Sequence, residues 1–239
     1  MLAPTVAKCR ALRKAGRLPK KGNEDALQKR KNKLIKMNHK KKEHWEHVYE
    51  TKGDGEVSWT EMVPDVSLGF MDGFGLAKDA KIIDVGGGNS RLVDCLLDRG
   101  FTDITVLDIS NAAIEKTKLR LGKRTALVTW IVGDVLDIDL CEKYDVWHDR
   151  AAFHFLTSHE DIEKYVSILN VCVNQFLIMA TFSTEGPTKC SGLPISQYDE
   201  QGLTMKLESS FEKLKCMTSA HVTPFDTIQH FLYCSFRKK

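Results

Sequence analysis

The chain has 239 residues, 42% hydrophobic and 28% charged, which is ordinary for a globular protein of one domain or two small ones. It contains no apolar run of the roughly 18 residues that a membrane helix needs, so we expect no membrane-spanning segment. The seven cysteines are scattered and form no C-x-x-C pair. We therefore expect neither a disulfide framework nor a cysteine zinc site, and we expect a reducing intracellular compartment.

The net charge of +3 is the sum of a strongly basic part and an acidic part of the chain. Residues 1–42 carry 15 Lys and Arg side chains and two acidic ones, whereas residues 43–239 carry 20 basic and 30 acidic side chains. The first part has too little apolar content to form a core, so we predict that residues 1–42 are a basic, disordered extension and that residues 43–239 are the folded domain. The acidic domain is a poor binder of nucleic acid.

The basic extension carries two patterns that resemble targeting signals. Its first 23 residues lack acids and place basic side chains around apolar ones at helical spacing, as in a mitochondrial presequence. A second basic cluster, at residues 29–33 and 40–42, resembles a nuclear signal. The alternative is a solvated arm without an address. Our interpretation slightly favours mitochondria over the cytoplasm or the nucleus.

An α/β alternation begins after the extension. A helix is predicted near 40–51 and an apolar segment, broken by glycines, near 66–76. Short apolar runs predict buried strands at Lys81–Val85, Ile104–Asp108, Leu127–Val132, Tyr144–His148 and Phe176–Phe182. Helices are predicted at Arg91–Arg99, Ala112–Leu121, Ile162–Val171 and 198–210, a long loop at Ser183–Ser196, and closing strands at 213–222 and 227–236. Repeated βαβ units of this kind predict a doubly wound, Rossmann-like α/β sheet of seven strands.

The most informative stretch is KIIDVGGGNSRLV at residues 81–93, where a predicted strand ends in Gly86, Gly87 and Gly88 and a helix follows. Glycines permit a sharp turn and the close approach of a ligand, and the helix N-terminus offers free N–H donors. The stretch lacks the lysine of a P-loop. Arg91 also takes the place of the third small residue of a dinucleotide site.

Three acidic residues lie at the ends of the same strands. Asp84 precedes the first glycine by two residues, where a carboxylate suits a cation, such as the ammonium and sulfonium of S-adenosylmethionine, better than a pyrophosphate. Asp108 ends the second strand, 20 residues after Gly88, where it can accept hydrogen bonds from ribose hydroxyls. Asp134 follows the third strand, where it can accept a hydrogen bond from the adenine amino group.

With these motifs, residues 43–239 resemble the class I S-adenosylmethionine-dependent methyltransferases. The resemblance implies a cofactor site made of the following residues: Asp84, Gly86, Gly87, Gly88, Asp108, Ile109, Asp134 and Val135. One departure is that Asn89 and Ser90 stand where the family often has a third small turn residue. Ser90 is small enough for the cofactor to bind.

The segment at residues 43–52, EHWEHVYETK, carries a narrower resemblance. It is similar to the lead-in of methyltransferases that modify lysines of elongation factors and of citrate synthase. This resemblance implies that Trp45, Tyr49 and Trp59 line a lid over the cofactor. The alternative is that these aromatic residues only pack against the domain.

The segment after the fourth strand is expected to lie beside the reacting methyl group, because ligands bind at the carboxyl ends of the strands in this fold. We predict that Asp149 positions the methyl acceptor and that His148 or His154 accepts its proton. The lysine-modifying relatives carry Asp-Lys-Gly here, whereas this chain has Asp149-Arg150-Ala151. Asp149 pairing with Arg150 or capping a helix, and His154 being a packed core side chain, are the alternatives.

The sequence therefore predicts an S-adenosylmethionine-dependent methyltransferase that acts on a protein lysine or on a small molecule with a nucleophilic thiol, amine or carboxylate. We expect a monomer. We also expect no metal ion, because His44 and His47 lack a third convergent ligand. A cofactor-binding regulatory protein without catalysis and an NAD-dependent oxidoreductase are the two alternatives from other functional classes.

Overall fold

The computed structural model describes residues 39–138, 140 and 142–239. The chain divides into two units, Met1–Lys41 and Lys42–Lys239. The predicted basic extension and its targeting patterns lie almost wholly outside the described residues. A first helix, α1, covers residues 39–51, and most of it belongs to the second unit.

The second unit is built on a seven-stranded sheet in the described part of the chain. Its strands are β1 (Lys81–Val85), β2 (Asp103–Asp108), β3 (Val128–Val132), β4 (Tyr144–Arg150), β5 (Val173–Phe182), β8 (Phe211–Val222) and β9 (Ile228–Lys238), and the short strands β6 (Lys189–Cys190) and β7 (Leu193–Pro194) form a separate hairpin. The strand order is β3-β2-β1-β4-β5-β9-β8. Strands β1 to β5 run parallel, and β9 is antiparallel to both of its neighbours.

Five further helices follow α1: α2 (Asp65–Asp72), α3 (Leu92–Asp98), α4 (Asn111–Leu121), α5 (His159–Cys172) and α6 (Glu200–Leu207). Three of them begin at side-chain caps. The side chains of Ser110, Ser158 and Asp199 accept hydrogen bonds from backbone N–H groups in the first turns of α4, α5 and α6. The prediction of a doubly wound, seven-stranded α/β fold is confirmed.

The core lies on both faces of the sheet, because the parallel strands alternate apolar side chains between two covered faces. In β4 and β5, Trp147 and Leu177 face one cluster, which is closed by α5 and α6. Their neighbours Val146 and Ile178 face the other cluster, which is closed by α2 and α3. Burial on both faces explains why apolar residues follow each other directly in the middle of these strands, as in Val146-Trp147 and Leu177-Ile178.

Two features of the carboxyl-terminal part differ from the sequence analysis. Cys216 and Cys234 lie directly opposite each other in β8 and β9 and form a disulfide. This bond was not expected from the scattered cysteines, because only the hairpin register brings these two residues, 18 apart in sequence, into contact. The predicted loop at Ser183–Ser196 also contains secondary structure, the β6–β7 hairpin. Within the described residues, no helix is long and apolar enough to cross a membrane.

Candidate functional site

The site lies where the strand order reverses. β1 and β4 are neighbours, yet their connections run to opposite sides of the sheet, which opens a crevice at their carboxyl ends. The glycine turn follows β1 at this point. Gly86 has φ +70°, and a Cβ atom there would lie 3.0 Å from the Cβ of Ala152, which follows β4. Both the backbone conformation and the available space therefore require glycine.

The next two glycines leave room beside two carboxylates. A Cβ atom on Gly87 would lie 2.5 Å from Oδ2 of Asp84, and one on Gly88 would collide with Oδ2 of Asp108 and with Ala113. The backbone of the turn therefore runs directly past both acids.

Asp84 is almost completely buried at the end of β1. Its Oδ1 lies 2.7 Å from Nδ1 of His148, and Nε2 of His148 lies 2.9 Å from Oγ of Ser67 on α2. Its Oδ2 is buried and has no hydrogen-bond partner among the described residues. A buried carboxylate oxygen without a donor is costly, so this atom fits the ammonium group of S-adenosylmethionine.

Asp108 ends β2 beside the glycine turn. Its Oδ1 accepts a hydrogen bond of 2.8 Å from the backbone N–H of Ser110. Burial raises the pKa of Asp108 to about 7, against the lowering effect of hydrogen bonds from the Ser110 and Gly88 backbone. Ribose hydroxyls would supply further donors to this buried carboxylate.

The predicted adenine end of the site is more open. Asp134 follows β3 and is half-buried, and its Oδ1 accepts a hydrogen bond of 2.9 Å from the N–H of Leu136. Ile109, which follows Asp108, and Val135, which follows Asp134, are also half-buried. The roles of Asp134, Ile109 and Val135 remain predictions.

The three aromatic residues predicted to form a lid come together. The ring centroid of Trp45 lies 5.6 Å from that of Trp59 and 6.2 Å from that of Tyr49, and Phe155, beyond β4, packs 5.1 Å from Trp45. Burial and the charge of Asp108 raise the pKa of Tyr49 well above its usual value. The cluster Trp45, Tyr49, Trp59 and Phe155, here called the aromatic cluster, therefore lies beside Asp108 at the end of β2.

Glu46 attaches α1 to the site, a role that the sequence analysis missed. Its carboxylate accepts hydrogen bonds of 2.8 Å from the hydroxyl of Ser110 and 3.2 Å from the N–H of Ala112, at the start of α4. A carboxylate at a helix N-terminus is stabilising. Glu46 stands among several charged and polar residues on α1, and no sequence signal distinguishes it from them.

Asp149, predicted to position the acceptor, is completely buried and engaged by the protein itself. Its Oδ1 accepts hydrogen bonds of 2.9 and 3.1 Å from the N–H groups of Ala152 and Phe153, and its Oδ2 accepts one from the hydroxyl of Tyr165. Burial raises its pKa to about 6, although these hydrogen bonds lower it. The contacts favour the alternative role, a cap of the turn after β4, over contact with the acceptor.

The two candidate bases differ in their surroundings. His148 uses both ring nitrogens, toward Asp84 and Ser67. His154 is completely buried, and its Nδ1 accepts a hydrogen bond of 3.3 Å from the N–H of Phe182. Burial, with repulsion by Arg150, lowers its pKa to about 3. A histidine with this pKa is a weak proton acceptor at neutral pH, which argues against His154 as the base.

The sequence suggested Asp149 as a partner of Arg150, but the structure gives Arg150 several other partners. Its guanidinium donates hydrogen bonds of 2.8 Å to the hydroxyl of Tyr233 and 3.1 Å to the carbonyl of Trp59. It also forms an ion pair with Glu61 at 2.9 Å and lies 4.8 Å from the ring centre of Phe231. These contacts direct the guanidinium away from Asp149. Arg150 joins the end of β4 to the segment that carries Trp59.

No cluster of three or more metal-ligating side chains is found among the described residues. Cys95 and Cys190 are thiols outside the disulfide. Burial raises the pKa of Cys190 to about 11, although the nearby Arg150 opposes this shift, so its thiol is protonated at neutral pH.

Comparisons with known proteins agree with this geometry. Residues 82–174 match a family model described as a methyltransferase domain. A malonyl-[acyl-carrier protein] O-methyltransferase of Anoxybacillus flavithermus is 36% identical over 78 residues, which are 32% of this chain and 29% of that protein. The match thus spans less than a third of that relative's length.

Two solved structures have the same fold. An S-adenosylmethionine-dependent methyltransferase from Anabaena variabilis has a TM-score of 0.64 at 14% identity, over 83% of this chain and 95% of that one. Magnesium protoporphyrin IX methyltransferase of Synechocystis, solved with bound S-adenosylmethionine, has a TM-score of 0.59 at 15% identity, over 84% and 93%. Residues 82–174 therefore match a methyltransferase domain, and the likeness to the solved structures, which extends over most of the chain, shows the fold.

Proposed function

We propose that this chain is a class I S-adenosylmethionine-dependent methyltransferase, which transfers the methyl group of that cofactor to a protein lysine or to a small-molecule nucleophile. The observation that carries the proposal is the position of two buried carboxylates around one glycine turn. Oδ2 of Asp84 has no partner among the described residues, and Asp108 lies against Gly88. This pair suits a ligand with a cationic end and a ribose.

The residues of the crevice would divide the work of binding. Asp84 would face the ammonium group, Asp108 the ribose hydroxyls, and Asp134 the adenine amino group. The aromatic cluster would exclude water from the reacting methyl group. The cofactor supplies an electrophilic methyl group on a positively charged sulfur, so the protein has to align and desolvate the nucleophile.

The acceptor is the less constrained half of the proposal. The resemblance of residues 43–52 supports a protein lysine. The relative from Anoxybacillus flavithermus, a malonyl-[acyl-carrier protein] O-methyltransferase, supports an oxygen nucleophile instead. The distribution of charge, with the acidic excess in residues 43–239, speaks against nucleic acid.

Calorimetry with S-adenosylhomocysteine and with NAD tests the cofactor half. We expect the first to bind and the second not to bind, and binding of NAD alone would refute the proposal. Incubation of the full chain with methyl-tritiated S-adenosylmethionine and a cell lysate tests the transfer half. A regulatory protein without catalysis would bind the cofactor and transfer no label.

A further inference from the structure

His154 has a hydrogen-bonding requirement that the cofactor site does not explain. Its Nδ1 lies 3.3 Å from the backbone N–H of Phe182, which can only donate. In a neutral ring Nδ1 is then the unprotonated nitrogen, and Nε2 carries the hydrogen. Nε2 is buried and has no hydrogen-bond partner among the described residues. A buried donor without an acceptor is costly, so Nε2 is a site for an acceptor atom of a ligand.

His154 lies beside the aromatic cluster, at the end of the sheet where ligands bind in this fold. His154 follows β4, at the carboxyl end of the sheet, and its ring packs 4.6 Å from Phe155 of the aromatic cluster. Phe155 in turn packs against Trp45. The charge of Arg150, four residues earlier, acts on the same histidine. Nε2 therefore offers an N–H donor beside the aromatic cluster, and such a donor favours an electron-rich acceptor atom.

The three side chains predicted to position or deprotonate the acceptor are already engaged. Asp149 accepts three hydrogen bonds from the protein. His148 contacts Asp84 and Ser67 through its two ring nitrogens. The geometry of His154 makes it a donor. A lysine ammonium must lose a proton before it can attack a methyl group, whereas a carboxylate is already ionised at neutral pH.

We infer that the methyl acceptor is a carboxylate, one oxygen of which accepts a hydrogen bond from Nε2 of His154. The inference rests on the proposed methyl transfer and names its substrate class. A carboxylate oxygen attacks the methyl carbon, the new O–C bond forms as the C–S bond breaks, and the sulfur keeps the electron pair. The products are a methyl ester and S-adenosylhomocysteine, and no proton is transferred.

The stability of the transferred label in base tests the inference. The full chain is incubated with methyl-tritiated S-adenosylmethionine and with the small-molecule and protein fractions of a lysate. Methyl esters hydrolyse in mild alkali and release the label as volatile methanol, whereas methylated amines and thioethers keep it. We expect most of the label to become volatile. Label that stays on lysine or sulfur overturns the inference and leaves the proposed function intact.

Binding of S-adenosylhomocysteine without transfer into any fraction would instead overturn the proposed function, and the inference with it. Variants of His154 then test the donor. His154→Phe removes the N–H and His154→Gln keeps one. With the labelled acceptor, we expect KM to rise at least tenfold in H154F and less in H154Q, while both bind S-adenosylhomocysteine like the wild type. His159→Gln, at an exposed histidine, is the matched control. An unchanged acceptor KM in a folded H154F protein would overturn the role of His154.

Discussion

Nδ1 of His148 lies 2.7 Å from Oδ1 of Asp84, and both side chains are buried at the carboxyl ends of neighbouring strands. The register of β1 and β4 creates this contact, because Asp84 pairs with His148 across the sheet. His148 holds one carboxylate oxygen and leaves the other directed past Gly87. His148, which the sequence suggested as a base, is thus placed to orient the Asp84 carboxylate.

The first prediction concerns this contact. His148→Phe removes the donor to Asp84, so the carboxylate loses its orientation and we expect the affinity for S-adenosylhomocysteine to fall about tenfold, the loss of one charge-assisted hydrogen bond. His148→Asn keeps a donor near Nδ1 and should lose less. Calorimetry measures both. Ser67→Ala, which leaves the contact between His148 and Asp84 in place, is the control, and an affinity of H148F equal to that of the wild type would exclude the orienting role.

The second prediction concerns the pH dependence of Asp108. Its pKa is about 7 in the folded protein against an ordinary value of 3.8. The ionised carboxylate is the form that accepts ribose hydroxyls, so we expect affinity for S-adenosylhomocysteine to increase up to about tenfold from pH 6 to pH 8. In Asp108→Asn the affinity should be lower, and its dependence on pH should be largely lost. The same pH dependence in D108N and in the wild type would assign it to another group.

The raised pKa of Asp108 also makes the free energy of unfolding depend on pH. The folded protein holds the Asp108 proton more tightly than the unfolded chain does. Its stabilising contribution is therefore complete below the unfolded pKa and is lost as the pH rises through about 7. We expect D108N to gain stability relative to the wild type between pH 5 and pH 8. Denaturant unfolding without ligand at both pH values measures this, and a relative loss at pH 8 would contradict it.

The third prediction concerns the attachment of α1. Glu46→Ala removes the acceptor for Ser110 and Ala112 at the start of α4. Because Trp45 and Tyr49 lie on the same helix, we expect S-adenosylhomocysteine to dissociate about tenfold faster, the effect of losing a charged hydrogen-bond acceptor. Stopped-flow displacement measures the rate. Glu50→Ala, an exposed change on the same helix, should leave it unchanged.

The fourth prediction separates two roles of Asp149. Its carboxylate caps the turn after β4 and accepts the Tyr165 hydroxyl, so Asp149→Asn should destabilise the protein by about 1.5–3 kcal/mol. Tyr165→Phe should destabilise it by a smaller amount. Turnover per folded molecule should persist in both variants once an acceptor is known. A fall of about 10²-fold in single-turnover methylation, with Tm unchanged, would restore Asp149 as the residue that positions the acceptor.

The fifth prediction concerns residues 1–42. A chain that begins at Glu43 should show the thermal transition of the full chain and bind S-adenosylhomocysteine with the same affinity, because Lys42–Lys239 is a compact unit of its own. Loss of the transition would place the domain boundary earlier. Fusion of residues 1–42 to a fluorescent reporter tests the targeting hypotheses, and we expect mitochondrial import, with a nuclear or diffuse cytosolic signal as the contradicting results.

The sequence alone predicted the fold, and it located the glycine turn and the acidic residues beside it. The strands predicted at Lys81–Val85 and Tyr144–His148 were found, the first unchanged and the second extended to Arg150. These features are local: a continuous apolar run indicates a strand covered on both faces, and a glycine turn followed by a helix indicates a ligand crevice. Even the distant aromatic residues Trp45 and Trp59 could be placed together by resemblance.

Only the tertiary structure decided how the polar side chains are used. His148, Asp149 and His154 look equally available in the sequence, yet sheet register directs the first to Asp84, and the turn after β4 folds around the second. The third receives the N–H of Phe182 from the neighbouring strand. The partner of His148 is 64 residues away in sequence, and the partner of His154 is 28 residues away. A hydrogen bond depends on a distance and a direction that no local sequence pattern encodes. The disulfide between Cys216 and Cys234 follows the same rule, because the pairing of β8 with β9 decided it.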